Sequence, residues 1–171
     1  MWSFTKTLFI TLTAACLTLS GCATSSADKG LVGKEVPYVR FQSLDGEWRV
    51  LDEFRGKDTV LVFWAAWCSR SRSALQGLNQ LARRSHGRDD RVFIAVNIDK
   101  QEDEEKFRSF VRDVPIDSFL HSYSGNDVYD EAFVRMNGEE LPHIFIIDKT
   151  GKVADVGHSD KFVYEHFNEM K

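Results

Sequence analysis

The chain has 171 residues, of which 43% are hydrophobic and 28% are charged, and its formal net charge at pH 7 is −4. This length suits one ordinary globular domain, and the composition excludes collagen-like and disordered classes. The acidic balance and the lack of a basic block argue against DNA or RNA as a partner.

The first 29 residues predict export and a lipid anchor. Residues Met1 to Lys6 carry one cation and no acid, and Thr7 to Leu19 form an apolar run too short to span a bilayer comfortably. The run ends in LSGC, which resembles the lipobox of bacterial lipoproteins. We therefore predict removal of residues 1–21, lipidation of Cys22, and a short flexible tether over 22–29. A cleaved secretory signal or an uncleaved anchor are the alternatives.

The residue after the lipidated cysteine predicts which of the two bacterial membranes carries the protein. It is Ala23 and not Asp, which by resemblance to Gram-negative sorting rules favours the outer membrane over the inner membrane. The predicted location is the bacterial cell envelope, with a lipid-anchored domain over residues 30–171 that faces the periplasm.

The first half of this domain predicts a hairpin and a buried strand. Residues 38–44 alternate in polarity and lead through Asp45-Gly46 into residues 47–50, which indicates a β-hairpin. Residues 58–64 (DTVLVFW) form a short continuous apolar run, typical of a strand buried on both faces.

The second half predicts alternating helices and strands. Apolar residues recur at helical spacing over 69–84, which predicts an amphipathic helix. Further helices are predicted at 102–111 and 127–136, and a C-terminal helix includes residues 162–170. The predicted strands are at 91–98, 144–147 and 152–156. Pairing of the strands at 58–64 and 91–98 through the helix between them requires a parallel arrangement. The predicted fold class is α/β, with a mixed sheet and helices on both faces.

The chain has three cysteines, Cys16, Cys22 and Cys68, and only Cys68 stays free in the predicted mature domain. Cys68 lies where a strand passes into a helix, and the positive end of a helix favours a thiolate. Arg70 and Arg72 add positive charge, so we expect the pKa of Cys68 to lie below the ordinary value of about 8.5. The competing interpretation of the two arginines is that they are solvated charges without a role.

The segment FWAAWCSRSR, residues 63–72, resembles the FWAxWCxxCR motif of the thioredoxin-like family, in its exported, membrane-tethered branch of disulfide reductases. The resemblance implies a thioredoxin-like fold in which Pro142 is cis and its loop lies against Cys68. We expect Leu141 and Pro142 to form a docking edge for an extended peptide, with Arg70 as a supporting residue. Trp67 either shapes the contact surface or packs at the rim of the core, and His143 either faces the thiol or stacks in the core.

The second cysteine of the family motif falls on Ser71, so the motif here is CxxS. A dithiol reductase needs the second thiol to release its mixed disulfide. The predicted function is therefore thiol-disulfide exchange by Cys68 alone, with Ser71 as a hydrogen-bond donor to the thiolate and with no cofactor. The expected partners are envelope proteins or small molecules that carry thiols or disulfides.

Three alternatives remain open. The first is a redox-inactive module of the same fold that only binds a partner. The second is a one-cysteine peroxidase, although Leu61 and Ala65 stand where peroxiredoxins carry Pro and Thr. The third is a copper site of Cys68 and His143, which is an incomplete ligand set. No metal site is predicted, and His86, His121, His158 and His166 are expected at the surface.

Overall fold

The computed structural model describes residues 30–85 and 89–168. The predicted export signal, Cys16, Cys22 and the tether over 22–29 lie outside the described residues, and so does His86. Within the described part, no helix is both long and apolar enough to cross a membrane.

The predicted N-terminal hairpin is present. Strands β1 (Arg40–Gln42) and β2 (Trp48–Val50) pair antiparallel. The connecting turn places Gly46 at φ 90°, a backbone conformation that a residue with a Cβ rarely adopts. The hairpin forms a two-stranded sheet of its own.

The main sheet has five strands in the order β5-β4-β3-β6-β7. Their bounds are β3 Asp58–Trp64, β4 Arg91–Asn97, β5 Leu120–Tyr123, β6 His143–Ile147 and β7 Val153–Gly157. Strand β4 is parallel to both β3 and β5, whereas β6 is antiparallel to both β3 and β7. The mixed sheet is thus confirmed, with the apolar run of β3 at its centre.

Strand β5 is absent from the sequence-based prediction, which places only helices between β4 and the next strand. It has four residues, LHSY, and pairs with β4 as an edge strand. Its pairing buries His121, which is 9% exposed and whose Nε2 lies 2.8 Å from the Ile116 carbonyl oxygen. The prediction that His121 is a surface residue is therefore wrong; burial lowers the pKa of His121, although its hydrogen bond to Ile116 opposes that change.

The α-helices of the described residues flank the sheet, and their bounds are α1 Ser69–Ser85, α2 Glu104–Asp113, α3 Glu131–Arg135 and α4 Asp160–His166. The helix predicted over 127–136 is instead a 3-10 turn, Asp127–Tyr129, followed by α3. Asp130 separates the two because its backbone is extended and its carboxylate accepts a hydrogen bond from the N–H of Phe133 at 3.0 Å. This is the geometry of a helix N-cap, so the helix begins anew there.

Both faces of the main sheet are covered by packed side chains. Successive side chains of a strand point to opposite faces, so the buried strand β3 contributes to a core on each face. Val60, Val62 and Trp64 of β3 belong to a core cluster with α1, α2 and α4. Leu61 and Phe63 belong to a second cluster with α3 and the segment around the hairpin. Each such side chain buried from water contributes on the order of 1.5–3 kcal/mol, and together they fix the position of the loop that follows β3.

Candidate active site

Cys68 is the residue immediately before α1. Its N–H donates to the Ala65 carbonyl oxygen at 3.1 Å, and its own carbonyl oxygen accepts from the Arg72 N–H at 3.1 Å. The second bond is the first of the helix, so Cys68 lies at the helix end where backbone N–H groups have no partner within the helix. The thiol is free and only partly exposed.

The surroundings of Cys68 favour the thiolate. Burial by itself raises the pKa of the Cys68 thiol, but the Ser71 hydroxyl, the N–H groups of Ser71 and Arg70, and the charge of Arg70 together lower it below its ordinary value. A lower pKa increases the fraction of the nucleophilic form near neutral pH.

Ser71 is fully buried one turn into α1, next to that thiol. Its hydroxyl makes no hydrogen bond of ordinary length and angle within residues 30–85 and 89–168. The hydroxyl lowers the pKa of Cys68, because an ionised sulfur supplies the acceptor that the hydroxyl otherwise lacks. Buried polar groups without partners are costly, so Ser71 stabilises the thiolate form.

The loop before β6 lies against Cys68. The Leu141–Pro142 peptide bond is cis, and the Cys68 thiol donates to the Leu141 carbonyl oxygen across 3.7 Å from Sγ. Leu141 is 8% exposed, and its backbone carbonyl oxygen is the atom that contacts the thiol. The structure therefore brings Leu141 and Pro142 together with Cys68.

Two exposed side chains frame the thiol. Trp67, the residue before Cys68, is 59% exposed. The Arg70 guanidinium lies 3.9 Å from the Glu140 carboxylate, with both side chains more than half exposed, so this pair adds little stability. Trp67 and Arg70 are thus free to contact another molecule.

Ala66 in the active-site loop is held from both sides. The Asp99 carboxylate accepts a hydrogen bond from the Ala66 N–H at 2.8 Å, and the Arg72 guanidinium donates to the Ala66 carbonyl oxygen at 2.5 Å. Asn97 donates to the same Asp99 oxygen at 2.7 Å. Arg72 therefore fixes the loop backbone, a role that the sequence analysis does not include.

Asp99 is fully buried at the end of β4. Burial raises the pKa of its carboxyl, although the hydrogen bonds from Ala66 and Asn97 oppose that change. Its second oxygen has no hydrogen-bond partner in the described part of the chain. The Asp99 carboxyl group thus positions the active-site loop, although its burial removes it from water.

His143 is fully buried, and it stacks within the protein. Its ring centroid lies 4.4 Å from that of Phe145 and 4.9 Å from that of His158. His158, expected at the surface, is half-buried and lines an open cleft. Its Nδ1 lies 2.9 Å from the Pro142 carbonyl oxygen.

No group of three or more His, Cys, Asp or Glu side chains that could hold a metal ion occurs within 30–85 and 89–168. An open cleft lies next to the start of α1. Its volume is about 330 Å³, and it is lined by Ser69, Arg70, Ser73, Ala74, His158, Ser159 and Asp160.

A free cysteine at a strand-to-helix junction, against a cis-proline loop, on a five-stranded mixed sheet is the arrangement that the family resemblance implies. Residues 56–153 match a family model described as thioredoxin-like. The chain belongs to the thioredoxin-like family.

The curated relatives of this thioredoxin-like chain include named oxidoreductases. It is 27% identical over 129 residues to the thiol-disulfide oxidoreductase ResA of Bacillus cereus, covering 75% of this chain and 70% of that protein. It is 26% identical over 152 residues to the thiol:disulfide interchange protein DsbE of Escherichia coli, covering 84% of this chain and 77% of that one.

Solved structures share the fold. A thiol-disulfide oxidoreductase from Bacteroides fragilis superposes with a TM-score of 0.69 at 19% identity, over 79% of this chain and 98% of that chain. The thioredoxin domain of a thiol-disulfide oxidoreductase from Bacteroides vulgatus gives a TM-score of 0.67 at 20% identity, over 80% and 95% of the two chains. The thioredoxin-like fold predicted from the sequence is confirmed.

Proposed function

We propose that this protein performs thiol-disulfide exchange through Cys68 as its single nucleophile. The observation that carries the proposal is a free, partly exposed thiol with a lowered pKa, 3.7 Å from the Leu141 carbonyl oxygen of the cis-proline loop. The names of the ResA and DsbE relatives agree with this class of reaction.

The reaction exchanges one disulfide for another. The Cys68 thiolate attacks one sulfur of a partner disulfide, a bond forms between Cys68 and that sulfur, and the other sulfur leaves with the bonding electron pair as a thiolate. No net oxidation occurs, because one disulfide is consumed and one is formed.

Release needs a second thiol from outside the domain. Ser71 occupies the position of the resolving cysteine, and a hydroxyl cannot displace a thiolate from a disulfide. A thiol of an envelope protein or a small molecule must therefore attack the mixed disulfide, which reforms the Cys68 thiolate and gives a new disulfide. Ser71 contributes by favouring the thiolate form, and no cofactor is required.

The backbone of Leu141 is the proposed docking edge for the partner. An extended peptide that carries the reacting sulfur would lie along Leu141 and Pro142, in the manner of strand addition. Exposed Trp67 on one side and Arg70 on the other would contact the residues that flank its cysteine. His143 is buried, so its support of this edge is indirect, through the loop it packs beneath.

The proposed location is the bacterial cell envelope. Cleavage before Cys22 and lipidation of that residue would tether residues 30–171 to a membrane through the 22–29 segment, facing the periplasm. Ala23 after Cys22 favours the outer membrane.

The test is the rate of iodoacetamide alkylation of Cys68 against pH in the full-length protein, with peptide mapping to assign the label. We expect alkylation with a midpoint below about 8.5, the ordinary value for a cysteine. The matched variant Ser71→Ala is expected to move the midpoint upward, since it removes the hydroxyl that lowers the pKa of Cys68.

A thiol that resists alkylation, or one with an ordinary or raised midpoint, would contradict the proposal. That result would favour a redox-inactive domain that presents the same edge to an envelope partner. A further check is trapping in cells: covalent adducts should accumulate on the native protein and disappear in Cys68→Ala.

A further inference from the structure

We propose that His158 is a positioning residue for the reaction at Cys68, because its imidazole fixes the carbonyl group of Pro142 and so the docking edge at Leu141. This inference rests on the proposed function of Cys68. Neither the family resemblance nor the relatives assign a role to this histidine.

The first observation is the hydrogen bond from His158 to the docking loop. Nδ1 of His158 lies 2.9 Å from the Pro142 carbonyl oxygen. A carbonyl oxygen only accepts, so Nδ1 carries the hydrogen and donates it. The bond fixes the peptide plane that follows Pro142, one residue from the Leu141 carbonyl oxygen that contacts Sγ of Cys68.

The second observation is that His158 is itself held in place. Its ring stacks on that of His143 at 4.9 Å with an interplanar angle of 26°, and the His143 ring packs in turn against that of Phe145 at 4.4 Å, tilted by 37°. Nδ1 of His143 accepts a hydrogen bond from the Glu139 N–H at 3.4 Å. The two imidazoles thus support the loop over residues 139–142 at both of its ends.

The third observation is that His158 lines an open cleft. Ser69 and Arg70, the two residues after Cys68, line the same cleft of about 330 Å³. A residue that flanks the reacting cysteine of an extended peptide can enter this cleft and lie against the imidazole. His158 therefore affects reactions with extended peptides, whereas a small reagent needs only the thiol.

The experiment compares two reactions of Cys68 in the full-length protein. The first uses a five-residue extended peptide whose central cysteine is activated as a mixed disulfide with thionitrobenzoate. The Cys68 thiolate attacks the peptide sulfur, a disulfide to Cys68 forms, and thionitrobenzoate leaves with the electron pair and is read by its absorbance. The second reaction is alkylation by iodoacetamide, which requires no docked strand.

The informative variants are His158→Phe, which keeps a ring for stacking but loses the donor, and His158→Asn, whose amide N–H restores a donor close to the same place. We expect His158→Phe to slow peptide exchange by roughly three- to tenfold, the effect of one neutral hydrogen bond, with alkylation unchanged. We expect His158→Asn to recover most of the peptide rate. The control His166→Phe removes a histidine of α4 that pairs with Asp155, away from the loop, and should change neither rate.

Equal slowing of both reactions by His158→Phe, or slowing of neither, would overturn the proposal. The wild-type protein tests the proposed function separately, because a Cys68 that fails in both reactions contradicts exchange chemistry itself. In that case, the affinity of each variant for the S-methylated peptide, measured by calorimetric titration, tests the positioning role of His158. Weaker binding by His158→Phe than by wild type, with recovery in His158→Asn, supports the positioning role, and equal binding refutes it.

Discussion

At the scale of single residues, one hydroxyl in place of a thiol sets the chemistry of this site. Ser71 is fully buried, at the position where the family motif has its second cysteine. A hydroxyl is smaller than a thiol and therefore fits at the same place in the helix start, and under the proposed mechanism the intramolecular release of a mixed disulfide is lost. The remaining role of the hydroxyl is to lower the pKa of Cys68.

Restoring the second thiol should therefore restore dithiol turnover. We expect Ser71→Cys to increase the reduction of insulin disulfides by dithiothreitol at least about tenfold over the native protein, because a neighbouring thiol outcompetes an external one. Turbidity of the released insulin chains measures the rate.

The control for this gain is Ser73→Cys, which adds a thiol at an exposed position of the same helix. An equal gain in Ser73→Cys would show that any added thiol suffices. No gain in either variant would mean that the active-site loop does not support dithiol chemistry.

At the scale of elements, the end of β4 positions the start of α1. Asn97 is the last residue of β4, the strand that pairs with β3, and Asp99 follows it. The Asp99 carboxylate accepts a hydrogen bond from the Ala66 N–H at 2.8 Å. The carboxyl ends of adjacent parallel strands meet at one edge of a sheet, where α/β proteins place their sites. The loop that carries Cys68 is thus fixed by the neighbouring strand and by Arg72 of its own helix.

This contact makes stability depend on pH in a defined direction. Burial raises the pKa of Asp99 in the folded protein above its unfolded value of about 3.9. Between the two values the folded state binds more protons, so the contribution of Asp99 to the free energy of unfolding falls as pH rises through that window. Asp99→Asn keeps a carbonyl acceptor for the loop and removes the ionisation.

We therefore expect the free energy of unfolding of the native protein, minus that of Asp99→Asn, to decrease as pH rises from about 4 toward neutrality. Urea unfolding of both proteins across this range measures the difference. Other carboxyls, such as those of Asp117 and Asp148, have pKa values that hydrogen bonds lower. They titrate alike in both proteins, so their contributions cancel in the difference. A difference that is constant with pH would contradict the assignment.

At the scale of the whole molecule, the proposed membrane anchor would determine which partners Cys68 meets. The segment 22–29 is short, so a lipid on Cys22 would keep the domain close to the membrane surface. Stable anchoring needs more than one acyl chain, which is what a lipoprotein carries.

Cys22→Ala should abolish this anchor. We expect complete loss of metabolic palmitate labelling and loss of the protein from the membrane fraction, because the thiol that accepts the diacylglycerol is missing. Cys16→Ala is the matched control, since it removes a cysteine from the predicted signal and should leave labelling intact. Labelling that persists in Cys22→Ala would rule out lipidation at this residue.

Much of the fold follows from local patterns in the chain. The apolar run of β3 occupies the predicted residues, Asp58–Trp64, and α1 begins at the predicted Ser69, because burial on both faces and helical periodicity are properties of adjacent residues. Strand β5 was missed, since four residues of mixed polarity become a strand only when the edge of β4 offers hydrogen bonds. The break before α3 likewise depends on one capping contact at Asp130.

The sequence by itself determined the proposed nucleophile, the serine at the second cysteine position of the motif and the family, because these are properties of residue identity and spacing. Only the tertiary structure decided what holds the site. Asp99 reaches Ala66 from another strand. His158 faces His143 because the register of β6 with β7 shifts between Ile146 and Ile147. Ile147 pairs with Val153, and an unshifted antiparallel register counted from that pair would place His143 opposite Gly157. The shift moves the partner of His143 on by one residue, to His158. Such a one-residue change in register carries a side chain to the other face of a sheet, and no local pattern in the chain records it.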